Sequence, residues 1–380
     1  MSNLCIPGRQ KRQTRPGGQD HTGKEGGKVG NDGNNGNVGE SGNARVNRRV
    51  ALVTGASAGV GRAVATRLAR EGFDVCLVAR GSAGLAAATR DVESEGGRAL
   101  AAPADVSKFE DLRGAADAAE SELGPIDLWV NDAMTTIFAP LWDVEPADFR
   151  RALEVTFLGQ VWGTKIALER MVPRDRGTIV NVGSALSFVG IPLQSAYCSS
   201  KFACRGLFES ARAELAHEKS NVRLSMVHLP GVNTTQFGWC KSVFGTHPMP
   251  VPPIYQPEVA ARAIVETALD CRRSKVLGTW NQLLVVLASL FPGFATQYAA
   301  LGAWDAQLTD VPVPPDRPSN LWDPCDEEED KGSHGIFDRQ AHGMLSPQFL
   351  ESLPATVGRF GVAAARTIRE KADRKKALGT

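Results

Sequence analysis

The chain has 380 residues, of which 42 % are hydrophobic, and its formal net charge is +1. Its length and apolar content allow a sizeable core, in one large domain or two. The near-neutral charge gives no reason to expect nucleic acid as a main partner. Seven cysteines are scattered without paired C-x-x-C spacing, which argues against a zinc site or a disulfide framework. We therefore expect no bound metal, reduced thiols and a cytoplasmic location.

Residues 1–48 are rich in glycine, asparagine and basic side chains and poor in large apolar ones. Such a segment buries too little apolar surface to offset the entropy lost on ordering, so we predict a disordered tail. It also lacks an apolar h-region and amphipathic periodicity. Neither a secretory signal nor a transit peptide is predicted.

From Arg49 onward, short apolar runs alternate with helical patterns. The runs that read as buried strands are residues 50–53, 75–79, 99–102, 126–130, 178–182 and 222–229. Between the first two, Val60, Val64 and Leu68 share one helical face, and Gly72 follows as a stop signal. Alternation of this kind predicts an α/β fold with a parallel sheet covered by helices on both faces.

Residues 279–380 lose this alternation and are predicted to form a C-terminal extension. The apolar run within 282–291 is too short to span a bilayer, so we interpret it as a buried lid or core helix, with interfacial membrane contact as the alternative. Residues 311–318 are proline-rich and predicted to be extended. Residues 326–330 are acidic and interpreted as a solvated loop. The last predicted helix, 356–376, ends in basic residues that favour either a solvated tail or an anionic surface.

Tyr197 and Lys201 stand four residues apart, and Ser184 precedes the tyrosine by thirteen. Positions i and i+4 share a helical face, so the ammonium group can lie beside the phenol. A neighbouring cation favours the phenolate, which would lower the pKa of Tyr197 toward the range that a general acid or base needs. Tyr255 and Tyr298, the other two tyrosines, lack such a partner.

A glycine-rich segment, residues 54–61, stands directly after the first predicted strand and opens the first helix. This is the context that a dinucleotide fingerprint requires, because glycines allow close approach to a pyrophosphate at a helix N-terminus. Arg80 follows the second strand. An acidic residue at this position would favour NAD(H), whereas the positive charge of Arg80 favours the 2′-phosphate of NADP(H). Asp105 follows the third strand and is interpreted either as an adenine contact or as a loop cap.

These motifs make the chain from 49 to 278 resemble the short-chain dehydrogenase/reductase (SDR) superfamily. The motifs that carry the resemblance are residues 54–61, Asp105-Val106, Asn131-Asp132-Ala133, Ser184, Tyr197 with Lys201, and Pro230-Gly231 with Thr234. The resemblance implies one doubly wound, Rossmann-type domain with a seven-stranded parallel sheet. It also implies hydride transfer between a nicotinamide and an alcohol or carbonyl, and a homo-oligomer.

The resemblance also implies roles for individual residues. Tyr197 would be the catalytic acid/base, Lys201 would lower its pKa and hold the nicotinamide ribose, and Ser184 would orient the reacting oxygen. Thr156 stands where the family has a proton-relay asparagine, and Asp132 and Met134 are further departures. The residues expected to bind the cofactor are Thr54, Gly55, Ser57, Gly59, Val60, Gly61, Arg80, Asp105, Val106, Asn131, Ala133, Tyr197, Lys201, Pro230, Gly231 and Thr234.

The sequence therefore predicts an NADP(H)-dependent oxidoreductase that acts on a small carbonyl or alcohol substrate, with NAD(H) as the other possible cofactor. Residues 236–253 are expected to form the substrate loop, with an apolar lining that includes Phe237 and Trp239. Two alternatives remain open at this point. One is a non-catalytic dinucleotide-binding regulator or scaffold, and the other is a peripheral membrane enzyme with a lipid-like substrate.

Overall fold

The structure is a computed structural model that describes residues 48–314 and 316–341, apart from the side chains of Phe294 and Tyr298. Nearly all of the predicted tail and the whole predicted helix at 356–376 lie outside these residues.

A seven-stranded sheet forms the centre of the molecule. Its strands are β1 (Arg49–Thr54), β2 (Phe73–Ala79), β3 (Ala99–Pro103), β4 (Ile126–Asn131), β5 (Thr178–Ser184), β6 (Arg223–Leu229) and β7 (Ser274–Val276). All neighbours pair in parallel, in the order β7-β6-β5-β4-β1-β2-β3. The six predicted runs and the seven-stranded Rossmann-type sheet are confirmed. No apolar run marks β7, because it contains only Ser-Lys-Val.

Ten α-helices lie within the described residues. They are α1 (Gly59–Arg70), α2 (Ser82–Ser94), α3 (Phe109–Glu122), α4 (Pro146–Leu153), α5 (Gly159–Met171), α6 (Ser195–His217), α7 (Gln236–Trp239), α8 (Pro257–Leu269), α9 (Thr279–Leu290) and α10 (Pro292–Gly302). A π-helical turn, Glu154–Leu158, joins α4 to α5. Three two-stranded ribbons pair Ile137–Phe138 with Lys241–Ser242, Gly231–Val232 with Ile254–Tyr255, and Thr246–Pro248 with Leu308–Pro312.

The helices cover both faces of the sheet and create two apolar cores. Ala51 and Val53 of β1 point into a core shared with α1, α2 and α8, whereas Val50 and Leu52 point into one shared with α3, α5 and α6. Side chains alternate between the faces of a strand, so a strand buried on both sides must be apolar throughout. The continuous run at residues 50–53 meets this requirement.

Residues 316–341, which we call the strap, run along the edge of the sheet where the strands end. Near its start, the guanidinium group of Arg317 donates to the carbonyl oxygens of Phe237 and Cys240. Near its end, the backbone N–H of Phe337 donates to Asn233 Oδ1 at 3.0 Å. The strap is therefore bonded to the domain at both ends and passes over the carboxyl ends of the strands.

The structure corrects the interpretation of residues 326–330 as a solvated loop at one residue, Asp326, while residues 327–330 form an exposed loop. Asp326 is only 5 % exposed. Glu327 bonds to Ser82 at the N-terminus of α2, and Asp330 forms an ion pair with Arg62 of α1. Glu327 and Asp330 bond to the domain because the N-terminus of α2 and the Arg62 side chain face them. Among the described residues, no helix is long and apolar enough to cross a membrane.

Candidate active site

A cavity of about 340 Å³ lies between the carboxyl ends of the strands, the loops that follow them and the strap. This volume is within the range of small-molecule sites. The predicted site residues that line it are Gly55, Ser57, Gly59, Val60, Arg80, Asp105, Val106, Ala133, Ser184, Tyr197, Lys201, Pro230, Gly231 and Thr234. The structure thus brings most of the predicted cofactor and catalytic residues to one cavity; Thr54, Gly61, Asn131 and Thr156 are not among the residues that line it.

The glycine-rich segment forms one wall of this cavity at the start of α1. Gly55 and Gly59 have φ values of +71° and +55°, a conformation that side chains other than glycine rarely adopt. Gly61 lies so close to the loop that an added Cβ would overlap the carbonyl oxygen of Gly55 and come 2.8 Å from its carbonyl carbon. The loop and the helix N-terminus can therefore approach a pyrophosphate closely.

Thr54 and Asn131 do not line the cavity but hold its frame. Thr54 Oγ1 accepts hydrogen bonds from the backbone N–H groups of Asp132 (3.0 Å) and Ala133 (3.2 Å). Asn131 Nδ2 donates to Asn181 Oδ1 at 2.9 Å, which links the end of β4 to the middle of β5. Both residues are buried. They position the loop after β4 instead of offering a contact to a ligand.

Ser184, Tyr197 and Lys201 meet in the middle of the cavity. Ser184 ends β5, and its side chain hydrogen-bonds the hydroxyl group of Tyr197. Tyr197 and Lys201 lie one turn apart on α6, with the Lys201 Nζ atom 5.6 Å from the centroid of the phenol ring. Lys201 is only 2 % exposed, and its Nζ donates to the carbonyl oxygen of Val182 at 2.8 Å. The sequence-based grouping of these three residues agrees with this geometry.

The pKa of Tyr197 departs in the opposite direction from the one predicted. Burial raises the pKa of Tyr197, while its hydrogen bond with Ser184 acts in the lowering direction. Burial also lowers the pKa of Lys201. Desolvation disfavours the charged form of each group. The phenol is therefore protonated at neutral pH in this environment, which is the form that donates a proton.

Thr156 lies away from the cavity, within the π-helical turn. Its side chain is fully buried, and its hydroxyl group donates to the carbonyl oxygen of Thr135 (2.9 Å) and accepts from the N–H of Thr135 (3.0 Å). Both hydrogen bonds of this hydroxyl group go to the backbone of Thr135. The group is therefore occupied and does not contact water in the cavity. The predicted relay role is therefore not supported by these contacts, which instead fasten the loop after β4.

Asp132 lines the cavity, and the sequence marked it only as a departure from the family pattern, without indicating that it titrates. Burial raises its pKa to about 7, although the charge of Lys201 and a hydrogen bond from the N–H of Gly61 act in the lowering direction. Its carboxyl group also contributes to the raised pKa of Tyr197. The centre of the cavity thus contains a carboxyl group that changes charge near neutral pH.

This carboxyl group should make folding stability depend on pH. In the unfolded chain Asp132 ionises near its ordinary value of 3.8, whereas the folded chain keeps the proton up to about pH 7. Between those values the folded state binds more protons, so its stability falls as the pH rises. The expected loss is roughly 2 to 3 kcal/mol between about pH 5 and pH 8. Asp132→Asn should remove that part of the pH dependence in denaturant titrations, and an unchanged profile would contradict the assignment.

Arg80 and Asp105 line the end of the cavity beside β2 and β3, but both already have partners. Arg80 donates through its two Nη atoms to the backbone carbonyl oxygens of Trp322 and Asn320 in the strap. Asp105 accepts from Arg151 at 2.6 Å and from the N–H of Ser107 at 3.0 Å. The loop-capping interpretation of Asp105 agrees with these bonds, and the guanidinium group of Arg80 is bound to the chain itself.

The extension contributes cavity residues that the sequence did not identify. Trp280, Asn281 and Leu284 of α9 line the end nearest Ser184, while Asn320 and Asp326 of the strap line the end nearest Arg80. Phe237 and Trp239 also line the cavity, as predicted for the substrate loop. No short motif marks residues in an extension, and only the folded chain places them beside a site formed by residues far away in the sequence.

Comparisons with known proteins agree with this geometry. The profile of the short chain dehydrogenase family matches residues 49–240. An uncharacterized oxidoreductase, YxnA, of Bacillus subtilis is 31 % identical over 329 residues, which is 86 % of this chain and 92 % of that protein. A 2-(S)-hydroxypropyl-CoM dehydrogenase of Xanthobacter autotrophicus is 34 % identical, covering 58 % of this chain and 83 % of that protein.

A solved structure is also similar. The crystal structure of a short chain dehydrogenase from Mycobacterium paratuberculosis, bound to NAD, superposes with a TM-score of 0.52 and 26 % identity. The superposition covers 60 % of this chain and 95 % of that one. The sheet and its helices are therefore shared with that structure, while much of the remainder of this chain has no counterpart there.

Proposed function

Since the chain belongs to the short-chain dehydrogenase family, we propose that it is an NAD(P)(H)-dependent oxidoreductase acting on a carbonyl or alcohol, with Tyr197 as acid/base. The observation that supports this best is that Ser184, Tyr197 and the glycine-rich loop line one cavity. The test is to measure whether the protein oxidises NADH or NADPH when a carbonyl compound is present. We expect the unaltered chain to do so and Tyr197→Phe to lose this activity.

The residues present fit a dinucleotide. The positive φ values of Gly55 and Gly59 and the close contact between Gly61 and Gly55 leave the loop without side chains that would exclude a pyrophosphate. Thr234 approaches the same loop, because a Cβ on Gly59 would lie 3.3 Å from its side chain. The nicotinamide ring of a bound dinucleotide would donate the hydride in reduction or accept it in oxidation.

The chain's own groups would then handle the proton and orient the substrate. A protonated Tyr197 donates its hydrogen to the carbonyl oxygen as that oxygen gains negative charge. Ser184, which bonds to the Tyr197 hydroxyl group, would donate to the same oxygen and fix its position. The buried ammonium group of Lys201, held by the carbonyl oxygen of Val182, would stabilise the phenolate that forms.

The predicted preference for NADP(H) depends on Arg80. Arg80 lines the cavity, as that prediction requires. However, its guanidinium group already donates to the carbonyl oxygens of Asn320 and Trp322. A 2′-phosphate would have to compete with these bonds, so Arg80 alone gives little reason to favour NADP(H) over NAD(H).

A second candidate function is a peripheral membrane enzyme with a lipid-like substrate, because α9 exposes an apolar face. Leu283 is 47 % exposed, Val286 52 % and Leu290 66 %. The opposite face carries Leu284, which lines the cavity. If the exposed face of α9 lay on a membrane, the opposite face of the same helix would still line the apolar end of the cavity.

If this candidate is right, the full chain should float with vesicles of phosphatidylcholine and phosphatidylserine. The double variant Val286→Glu with Leu290→Glu should float much less, because charge on the apolar face opposes insertion. A matched double variant on the exposed surface of another helix, Ala213→Glu with Ala216→Glu in α6, adds the same charge and serves as the control. No flotation of the unaltered chain would end this candidate.

A further inference from the structure

We propose that Asp326 of the strap selects NAD(H) over NADP(H) by supplying the carboxylate that binds the adenosine ribose. This inference rests on the proposed function, because it takes the cavity as the dinucleotide site. It concerns a residue about 250 positions after the end of the second strand, where Rossmann-type sheets usually have their ribose-binding acid.

The end of β2 has no acid of its own. β2 ends at Ala79, and the next residues are Arg80 and Gly81. In dinucleotide-binding sheets this position contacts the ribose 2′-hydroxyl group or a 2′-phosphate. The local sequence therefore gives no acceptor for a ribose hydroxyl, which is why it favours NADP(H) when it is considered alone.

The strap brings a carboxylate to this place. Asp326 lines the cavity together with Ser57 and Arg80. Its carboxyl group lies against the backbone of Gly81 and Gly84, where an added Cβ at either glycine would overlap one of its oxygens. The two glycines thus allow Asp326 to approach the end of β2 closely, and the carboxylate stands beside the position that the ribose would take.

One oxygen of the Asp326 side chain lacks a bonding partner within the part of the chain that the structure describes. It is 5 % exposed, and among the described residues no donor bonds to its buried Oδ2 atom. The N-terminus of α2 is capped instead by Glu327, whose side chain accepts from the N–H of Ser82, and by the backbone carbonyl oxygen of Asp326, which accepts from the N–H of Gly84 at 3.1 Å. A buried carboxylate oxygen with no protein donor needs a water or a ligand as its partner, and this one belongs to a residue of the cavity wall.

The surrounding charges also favour NAD(H). Arg151 is paired with Asp105 at 2.6 Å. Arg80 is bound to two strap carbonyl oxygens, and Asp326 is among the charges that act on it. At this end of the cavity Arg80 is accompanied by two carboxylates, those of Asp105 and Asp326. A 2′-phosphate would face Asp326 directly, whereas two ribose hydroxyl groups could donate to it.

The test is to titrate the full-length protein with NADH and with NADPH, in the absence of substrate, and to follow binding by calorimetry. We expect the unaltered chain to bind NADH at least about tenfold more tightly than NADPH, as a charge-assisted hydrogen bond would give. Asp326→Asn, which keeps the shape and removes the charge, should weaken NADH binding by about tenfold and remove most of the preference.

Glu327→Gln is the matched control, because it lies next to Asp326, caps α2 and does not line the cavity. It should lower the melting temperature and leave the ratio of the two affinities unchanged. Tighter binding of NADPH by the unaltered chain would overturn the inference, even if Asp326→Asn failed to fold. The inference would also be overturned if Asp326→Asn changed the ratio of the two affinities no more than Glu327→Gln does.

These outcomes separate the inference from the proposed function. Binding is measured without substrate, so an absence of turnover would count against the chemistry and not against the role of Asp326. Carbonyl-dependent turnover with an unchanged affinity ratio would contradict only the role of Asp326. Binding of neither dinucleotide would contradict both.

Discussion

Replacing Tyr197 by phenylalanine is expected to lower the turnover of carbonyl substrates by about 100- to 10,000-fold, the usual contribution of a positioned general acid. The phenol hydroxyl is bonded to Ser184, and burial keeps it protonated at neutral pH. Removing it leaves the developing negative charge on the substrate oxygen without its proton donor. The loss should appear in kcat and in kcat/KM alike, because the interaction forms in the transition state.

The same substitution should change the affinity for NADH or NADPH only a few-fold, because the ring that packs against the cavity remains. Tyr255→Phe is the matched control: Tyr255 is buried but is not among the described residues that line the cavity. It should leave turnover close to that of the unaltered chain. Equal turnover by Tyr197→Phe and the unaltered chain would show that Tyr197 is not the acid.

Replacing Gly61 by alanine is expected to weaken dinucleotide binding and to lower turnover on the order of 100-fold, because misplacing a reactant by about 1 Å has rate effects of this size. The added Cβ would overlap the carbonyl oxygen of Gly55 and lie 3.0 Å from Asp132 Oδ2. The neighbour is backbone, which does not move as a flexible side chain would. The loop must therefore shift away from α1, at about 1–3 kcal/mol in folding stability.

Gly114→Ala in α3 is the control for this change, because nothing lies within 4 Å of the position of its Cβ. Alanine favours a helix over glycine by about 1 kcal/mol, so this variant should be slightly more stable and should bind the dinucleotide normally. Calorimetric titration and thermal melting of both variants would check the prediction. Normal binding by Gly61→Ala would mean that the glycine-rich loop does not form the pyrophosphate site.

Much of the fold could be predicted because the central strands must be apolar on both faces. The run at residues 50–53 is buried by helices from both sides, and its unbroken apolar character follows from that. β7, Ser274–Val276, could not be predicted from its own residues, since it lies at the edge of the sheet and has little to bury.

The grouping of the predicted site residues could be foreseen where they lie close in sequence or follow neighbouring strands. Helical spacing places Tyr197 beside Lys201, and parallel strands bring Ser184 to the same edge. The direction of the pKa shift of Tyr197 could not be predicted, because it depends on burial, which sequence spacing does not report. Asp326 was interpreted as solvated for a similar reason: only the course of the strap brings it to the end of β2.

The central claim is that this cavity performs nucleotide-dependent chemistry on a carbonyl. The most direct measurement follows the absorbance of NADH and of NADPH while the full-length protein is offered a broad panel of aldehydes and ketones, with the matching alcohols and oxidised dinucleotides in the reverse direction. We predict dinucleotide oxidation that requires both a carbonyl compound and Tyr197. Tight dinucleotide binding with no turnover in either direction would contradict the claim and would instead indicate a non-catalytic dinucleotide-binding protein.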